Sequence, residues 1–531
     1  MRIPVPLSQW MFLAFGGWLA AAAEAPPDFL WTHQAGGKDT DAGCGVAVDN
    51  SGNVFVTGYF FGTNSFGATN LISAGEDDIF VAKYDSAGNL LWARRAGGSA
   101  SDEGLAVAAD AAGNAFVTGL FQGTASFGTT NLTSSGQSDI FLAKYGPAGT
   151  LLWARKAGGN DFDEGHGLAL DAAGDAYLTG YCTGTAAFGS INPASLGGSN
   201  NMFVAKCSSA GTFLWVRRAG GDSDDQGNAI AVDAATNVYV TGAFADNVTF
   251  ANTNLSGTGT NGALDVFVAK YDSAGNFLWA RKGGGSDNDQ GNAIVADPAG
   301  NSYVAGQIFG TAAFSGTNVA GNGLDIFLSK YDGSGNLLWV RKAGGNNAIY
   351  GDGGFGVTLD PAGNVCVCGY FSGTANLGST NIATSGFDDV FIAKYDTGGN
   401  LLWVRKAGGS NLDVAYAMAA DRSGNLFLTG FFSDTAAFGA ANLTATGPSP
   451  VRDIFITRLG VMAPPLLAIS RAGDNLQLAW PASAADFLLE SATVPTAPTW
   501  STVLAPTNLV GSSRIVIMTN SNPKVFYRLR K

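Results

Sequence analysis

The chain is poor in the groups that most often carry chemistry. Its 531 residues include two histidines, His33 and His166, and five cysteines, and only 13% are charged, about half the usual share. No H-E-x-x-H, G-x-S-x-G, phosphate loop or Cys/His metal spacing occurs, so the common zinc, serine-hydrolase and nucleotide sites are excluded. An odd number of cysteines without regular spacing gives no disulfide framework. Cys366 and Cys368, one residue apart in "NVCVCGYF", fall on one face of a strand and are badly placed to bond each other. Cys182 and Cys207 are a pair that could meet across neighbouring strands of one repeat. Basic residues are scarce too. The 29 Lys and Arg against 42 Asp and Glu leave a net charge of −13, which argues against nucleic acid, because binding phosphate needs a basic surface.

Long apolar runs are confined to the N-terminus. Arg2, the stretch "QWMFLAFGGWLAAAA" and the small residues before Glu24 read as a secretory signal, residues 1–23, cleaved after Ala23. No later stretch is apolar for eighteen residues, so no membrane span is expected in the mature chain. No cysteine follows the cut, so no lipoprotein-type anchor is expected. The chain is read as exported, to the cell surface, the extracellular space or the periplasm.

What the chain has in abundance is glycine, 75 residues, about twice the usual share, as turn-dense β structure requires. It also has a repeat. Trp31, Trp92, Trp153, Trp215, Trp279, Trp339 and Trp403 recur every 60 to 64 residues. Each unit holds four short alternating segments, for example "GLAVAAD", "NAFVTGLF", "DIFLAKY" and "LLWARKAGG", which predict strands a to d and no helix. "DAAGN" and "DSAGN" close the a–b and c–d hairpins, with Asp capping the turn and Gly supplying a positive φ. The last unit lacks its "LLW" strand, and "DFLWTHQAGG" stands unmatched before the first strand a. An N-terminal strand that completes the seventh unit would close a ring and leave no open end. The expected fold is all-β: a seven-bladed β-propeller over 28–460, closed by an N-terminal strand, followed by a small β-sandwich.

The recurrent "GNVFVTGYF…GT…FG…NL…G…DIFVAKYD..GNLLW" resembles the bacterial beta-propeller repeat SBBP, over about Phe29 to Gly460. That resemblance implies an exported, surface-associated protein and no common chemistry. Residues 463–531 alternate differently, with Trp480 as an inward core residue, and resemble a fibronectin type III or immunoglobulin-like domain. A spacer, a binding module and a sorting signal are all open for it. "YDSAGNLLW" is similar to the Asp box of sialidase-like propellers shifted by one residue, a likeness of turn mechanics.

Residues present in every unit are explained by the unit, whereas a single binding site needs residues that differ between units. Six of the seven motif Trp residues are followed two positions later by an arginine, Arg94, Arg155, Arg217, Arg281, Arg341 and Arg405, which is therefore expected to cover the Trp ring. Each d–a loop carries an Asp: Asp41, Asp102, Asp163, Asp225, Asp289, Asp352 and Asp413. Capping of the turn and a calcium site are both open, the latter encouraged by "DSDDQG" and "DNDQG" and naming Asp222, Asp224, Asp287 and Asp289. The repeats disagree one and three residues after the Asp. Glu103, Glu164, His166, Gln226, Asn228, Gln290 and Asn292 give one side of the propeller mouth polar groups, and Phe355 and Tyr416 give the other side aromatic rings. A mouth of that kind suits a glycan or peptide. The expected role is a non-enzymatic, monomeric binding or adhesion scaffold without a required cofactor. The alternatives are a polysaccharide hydrolase or lyase using Glu103 and Glu164, and a structural spacer.

Overall fold

The computed structural model describes residues 25–259, 262–345, 351–460, 467–472, 475–481, 487–493, 499–510, 513–519 and 525–530. The expected signal segment, 1–23, lies outside them. The chain divides into two compact units, Met1–Gly460 and Val461–Lys531. Among the described residues both consist of strands without helices, so none is long and apolar enough to cross a membrane.

In the first unit a four-stranded antiparallel meander recurs. The first comprises strand a, Ala42–Val48, strand b, Val54–Phe60, strand c, Asp78–Tyr84, and strand d, Leu90–Ala96, hydrogen-bonded in that order. The hairpins form for the reason the sequence gives. Asp49 Oδ1 accepts the backbone N–H groups of Ser51 and Asn53 at 2.8 and 2.9 Å, and Oδ2 accepts Asn53 Nδ2 at 2.7 Å. Gly52 takes φ 79°, a conformation that a Cβ disfavours. The last meander joins Asp413–Ala420, Leu426–Ser433 and Arg452–Gly460, and its fourth strand is Asp28–Gly36, paired antiparallel from Asp28↔Gly460 to Ala35↔Ile454.

The segments between strands b and c are largely ribbons. Thr63–Phe66 pairs with Thr69–Ile72, and the ribbon reaches the outer strand of the preceding meander through Ala35↔Phe66. The same crossing recurs as Ala157↔Phe188, Gly283↔Phe314 and Gly408↔Ala437. Phe66 of the "FG" motif anchors the ribbon, fully buried with its ring 4.9 Å from that of Phe80. The outer edge of each strand d so covered is shielded from pairing with another chain.

Neighbouring meanders are latched by strand d. Trp92 Nε1 donates to Pro147 O at 2.9 Å, and Arg94 donates from Nε to Gly149 O at 3.0 Å and from Nη2 to Ala148 O at 3.2 Å. The guanidinium lies 5.7 Å from the Trp92 ring centre, so the arginine covers the indole as expected and also grips the next c–d turn. Arg155, Arg217, Arg281 and Arg341 do the same to Gly211, Gly275, Gly335 and Gly399. Gly149 has to be glycine twice over, with φ 77° and a would-be Cβ only 2.7 Å from Trp92 Cδ2. The first and last meanders share one core, in which Val46, Val56 and Phe80 pack with Phe427, Ile454 and Ile456.

All five cysteines are free thiols. Cys182 and Cys207 do not meet: in antiparallel register Cys182 faces Asn201 and Cys207 faces Ala176, at opposite ends of the strand pair. In the second unit, one sheet is built on Ala468–Ala472, Asn475–Pro481, Ser513–Thr519 and Asn508–Val510, and another on Ser501–Thr502, Leu488–Ala492 and Phe526–Arg530. Trp480, 3% exposed, packs with Leu478, Phe487, Leu489 and Val516, the inward position its sequence suggests.

Candidate functional site

Strand a of every meander carries one residue too many. In the first, Gly43 pairs with Gly58 and Gly45 with Thr57, so Cys44 is passed over. The register skips Leu105, His166, Asn228, Asn292, Phe355 and Tyr416 in the same way. A bulged residue leaves the ladder and its side chain is re-aimed. All seven line one cavity of about 220 Å³. These positions, three after the Asp, are among those at which the repeats differ.

Small residues flank the bulge for steric reasons. A Cβ on Gly104 would stand 3.0 Å from Ile79 Cγ2 and closer still to Thr57 Oγ1 of the preceding meander. On the other side, a Cβ on Gly167 would be 3.0 Å from Ala229 Cα, and one on Gly356 2.9 Å from Met418 N. The inner strands therefore pack nearly backbone to backbone, and a tight waist of Gly and Ala follows the variable layer. Val46, Val107, Leu168, Ile230, Ile294, Val357 and Met418 continue the lining.

The layer is chemically divided. Phe355 and Tyr416 meet edge to face at 5.6 Å, Tyr370 stacks on Phe355 at 5.8 Å, and Phe431 lies 5.7 Å from Tyr416. Cys44 and Tyr59 belong to the same cluster. Tyr59, Tyr370 and Phe431 were not anticipated. Their signal is the residue after the recurrent strand b glycine, which varies as the bulge does.

On the polar side, His166 Nε2 lies 3.1 Å from Glu164 Oε2, and the Tyr181 ring stands edge to face with the imidazole at 5.5 Å. Burial raises the Glu164 carboxyl, but hydrogen bonds from His166 and Tyr181 outweigh it and leave Glu164 below its ordinary value. Glu103 is pushed up to about 7, first by burial and then by the charges of Asp77 and Glu164. Asn228 and Asn292 donate from Nδ2 to the carbonyls of Gly291 and Gly354, both at 3.1 Å, which commits one donor of each amide to the neighbouring strand.

The residues one after the Asp stand apart from the cavity. Glu103, Glu164, Gln226 and Gln290 precede the bulge, keep their ladder partners and are absent from its lining. Gln226 instead helps line a second depression of about 230 Å³ with Asn200, Asp224 and Asn288.

The d–a aspartates do not ring a wet mouth. Asp41, Asp102, Asp163, Asp225, Asp289 and Asp413 are fully buried and Asp352 nearly so. They cap: Asp102 Oδ2 accepts Gly98 N–H at 2.6 Å and Oδ1 accepts Gln122 N–H at 3.0 Å. The residues named for calcium are not gathered. Asp222, Asp224 and Asp287 are exposed, and both oxygens of Asp289 accept backbone N–H groups, from Gly285 and Phe309. Among the described residues, no three His, Cys, Asp or Glu side chains assemble to hold a metal ion.

A family model described as the beta-propeller repeat SBBP matches residues 30–59, 214–243 and 279–309, so the recurring meanders include SBBP beta-propeller repeats. The chain is 25% identical over 502 residues to an uncharacterized WD repeat-containing protein of Acanthamoeba polyphaga mimivirus, covering 76% of this chain and 36% of that protein. It is 34% identical over 110 residues to the regulatory protein FlaEY of Caulobacter vibrioides, covering 20% of this chain and 12% of the relative. The chain thus spans about a third and about an eighth of these relatives. Among solved structures, the WD40 beta propeller domain of Doa1 is 10% identical with a TM-score of 0.30, covering 82% of this chain and 97% of that one.

Proposed function

We propose that the first unit is a seven-bladed propeller closed by Asp28–Gly36, and that the chain is an exported scaffold binding a glycan or peptide at its mouth. One observation carries the binding reading: the seven bulge residues are all positions where the repeats differ, and they converge on one cavity. The structural positions around them, the capping aspartates, the flanking small residues and the strand d latches, repeat. About 220 Å³ is small beside the roughly 300–1,000 Å³ of drug-sized pockets, and it suits one sugar ring or one inserted side chain. Phe355 and Tyr416 offer the apolar platform, and His166, Asn228 and Asn292 the hydrogen bonds. The second unit is read as a fibronectin-like or immunoglobulin-like module on the same chain.

A second reading is favoured by Glu103 and Glu164, whose carboxyls are shifted in opposite directions, as an acid and a base would be. In that case the propeller cleaves a polysaccharide. A glycan and peptide panel decides between them: saturable binding without turnover supports the scaffold, turnover abolished by Glu103→Gln supports the enzyme, and neither leaves a spacer.

A further inference from the structure

Beyond the mouth, the d–a corners hold a second kind of site. In every meander but one, the buried d–a aspartate faces another aspartate at the start of a neighbouring strand c: among them Asp413 faces Asp389, Asp102 faces Asp78, and Asp41 faces Asp453. All six are buried. Around Gly408 the two carboxylates converge, with Asp389 Oδ1 2.6 Å and Asp413 Oδ2 2.9 Å from the point a Cβ on that glycine would occupy.

The hydrogen bonds leave one thing unexplained. Asp389 Oδ2 accepts Ser385 N–H at 2.8 Å and pairs with Lys406 Nζ at 3.3 Å. Asp413 accepts Gly409 N–H at Oδ2, at 2.6 Å, and Ser433 N–H at Oδ1. Asp389 Oδ1 is buried without a partner, and so are Asp78 Oδ1 and Asp453 Oδ1. An acceptor oxygen buried and unpaired is costly, and two ionised carboxylates side by side repel. One proton between them removes both penalties.

We propose that the folded chain binds a proton at these corners: Asp413, Asp102 and Asp41 remain carboxylic acids and donate to the free Oδ1 of Asp389, Asp78 and Asp453. The strand c partner accepts at Oδ1 while its Oδ2 is held, by Lys406 in Asp389, by Arg95 at 2.7 Å in Asp78, and by Gln34 and Thr446 in Asp453. The other charges facing the pairs are Asp388 at Asp413, Asp39 at Asp41 and Asp77 at Asp78, all repulsive, and all favour holding a proton at the pair. Burial above all pushes Asp413 and Asp41 up to about 8 and Asp102 to about 7.

The molecule contains its own variant. In one meander Asn201 takes the strand c place, its Oδ1 likewise buried, unpartnered and against Gly220, the counterpart of Gly408. An amide oxygen can only accept, as the proposal requires of that position. Arg218, with no carboxylate to neutralise there, turns to the carbonyls of Gly184 and Cys182.

The proton count on unfolding tests this. Calorimetric unfolding of the full chain at pH 6, in two buffers of different ionisation enthalpy, should show several protons released, because the unfolded aspartates ionise near pH 4. His33, held below its ordinary value by burial, takes back less than one. Asp413→Asn should lower the count by about one, and Asp102→Asn should repeat that result if the first variant does not fold. Asp389→Asn, which reproduces the natural Asn201 arrangement, should leave the count unchanged. A wild-type count near zero overturns the proposal. So does a Tm at pH 8 that sodium or calcium chloride raises without proton release, since a cation would then occupy the place assigned to the proton.

Discussion

Arg405 donates from Nε to the carbonyl of Pro27 at 3.0 Å and from Nη2 to that of Pro26 at 3.2 Å, across 378 residues of sequence. Every equivalent arginine grips a c–d turn of the next meander. Arg405 faces the place where that turn is missing, because strand c ends at Gly460 and its partner begins at Asp28. The N-terminal segment supplies the carbonyls instead, and Asp28 Oδ1 adds an ion pair at 3.2 Å.

Deleting residues 28–34 should therefore expose the Arg452–Gly460 edge and open the core shared by the first and last meanders. The expected loss of Tm is far larger than trimming a frayed terminus gives. Arg405→Ala, which keeps the strand and removes only the grip, should cost about 1–3 kcal/mol. Thermal unfolding of both variants checks the seam, and an unchanged Tm after the deletion would sink the closed ring.

The interior latches are expected to affect stability and not binding. Arg94→Ala should cost about 1–3 kcal/mol, a few degrees of Tm in a unit of this size. Gly149→Ala should also destabilise, since it needs a positive φ and meets Trp92. Chemical denaturation measures both, and ligand affinity at 25 °C should stay at the wild-type value.

The mouth residues should behave oppositely. Tyr416→Ala with Phe355→Ala, and separately His166→Ala with Asn228→Ala, should weaken any ligand found on the panel about tenfold or more. Binding that survives both pairs would move the site away from the cavity, most plainly to residues 191–200, "INPASLGGSN", which link strands b and c of one meander, or to the second unit.

Calcium should not be needed. Because Asp289 caps a turn with both oxygens and Asp222, Asp224 and Asp287 are exposed and not gathered, chelation should leave Tm unchanged. A ligand stabilises the native state only as far as it binds, so a rise of several degrees on adding calcium would restore the metal reading.

Glu103 should titrate near pH 7 in the folded chain. Its carboxyl is raised mainly by burial, so it favours folding fully only below its ordinary value, and that contribution fades as pH climbs through 7. Asp77→Asn removes one repelling charge and should move the midpoint down, as read by carbon NMR of the carboxyl.

Much of this was legible in sequence because a repeat aligns itself. The strand order, the Asp and Gly turns, and the positions of Cys44, His166, Phe355 and Tyr416 all follow from comparing copies. What period-two alternation could not give was the bulge: a slip of one residue in pairing decides that His166 lines the cavity while Glu164 does not. The depth of the aspartates was hidden for a related reason. Asp102 looks like any polar loop residue until the ribbon of its own meander supplies Gln122 N–H to bury it. The partner of Arg94 lies 55 residues away, in a turn whose sequence shows only that it is a turn.

The pairing of Asp28–Gly36 with Arg452–Gly460 also sets an order of events during synthesis. The first described strand of the first unit has that unit's last strand as its partner, 432 residues later for Asp28 and Gly460. At roughly 5–20 residues per second, it waits about 20 to 90 s. For that interval "DFLW" is an apolar strand with both edges open, and its safekeeping until the final repeat arrives falls to the machinery that carries the nascent chain.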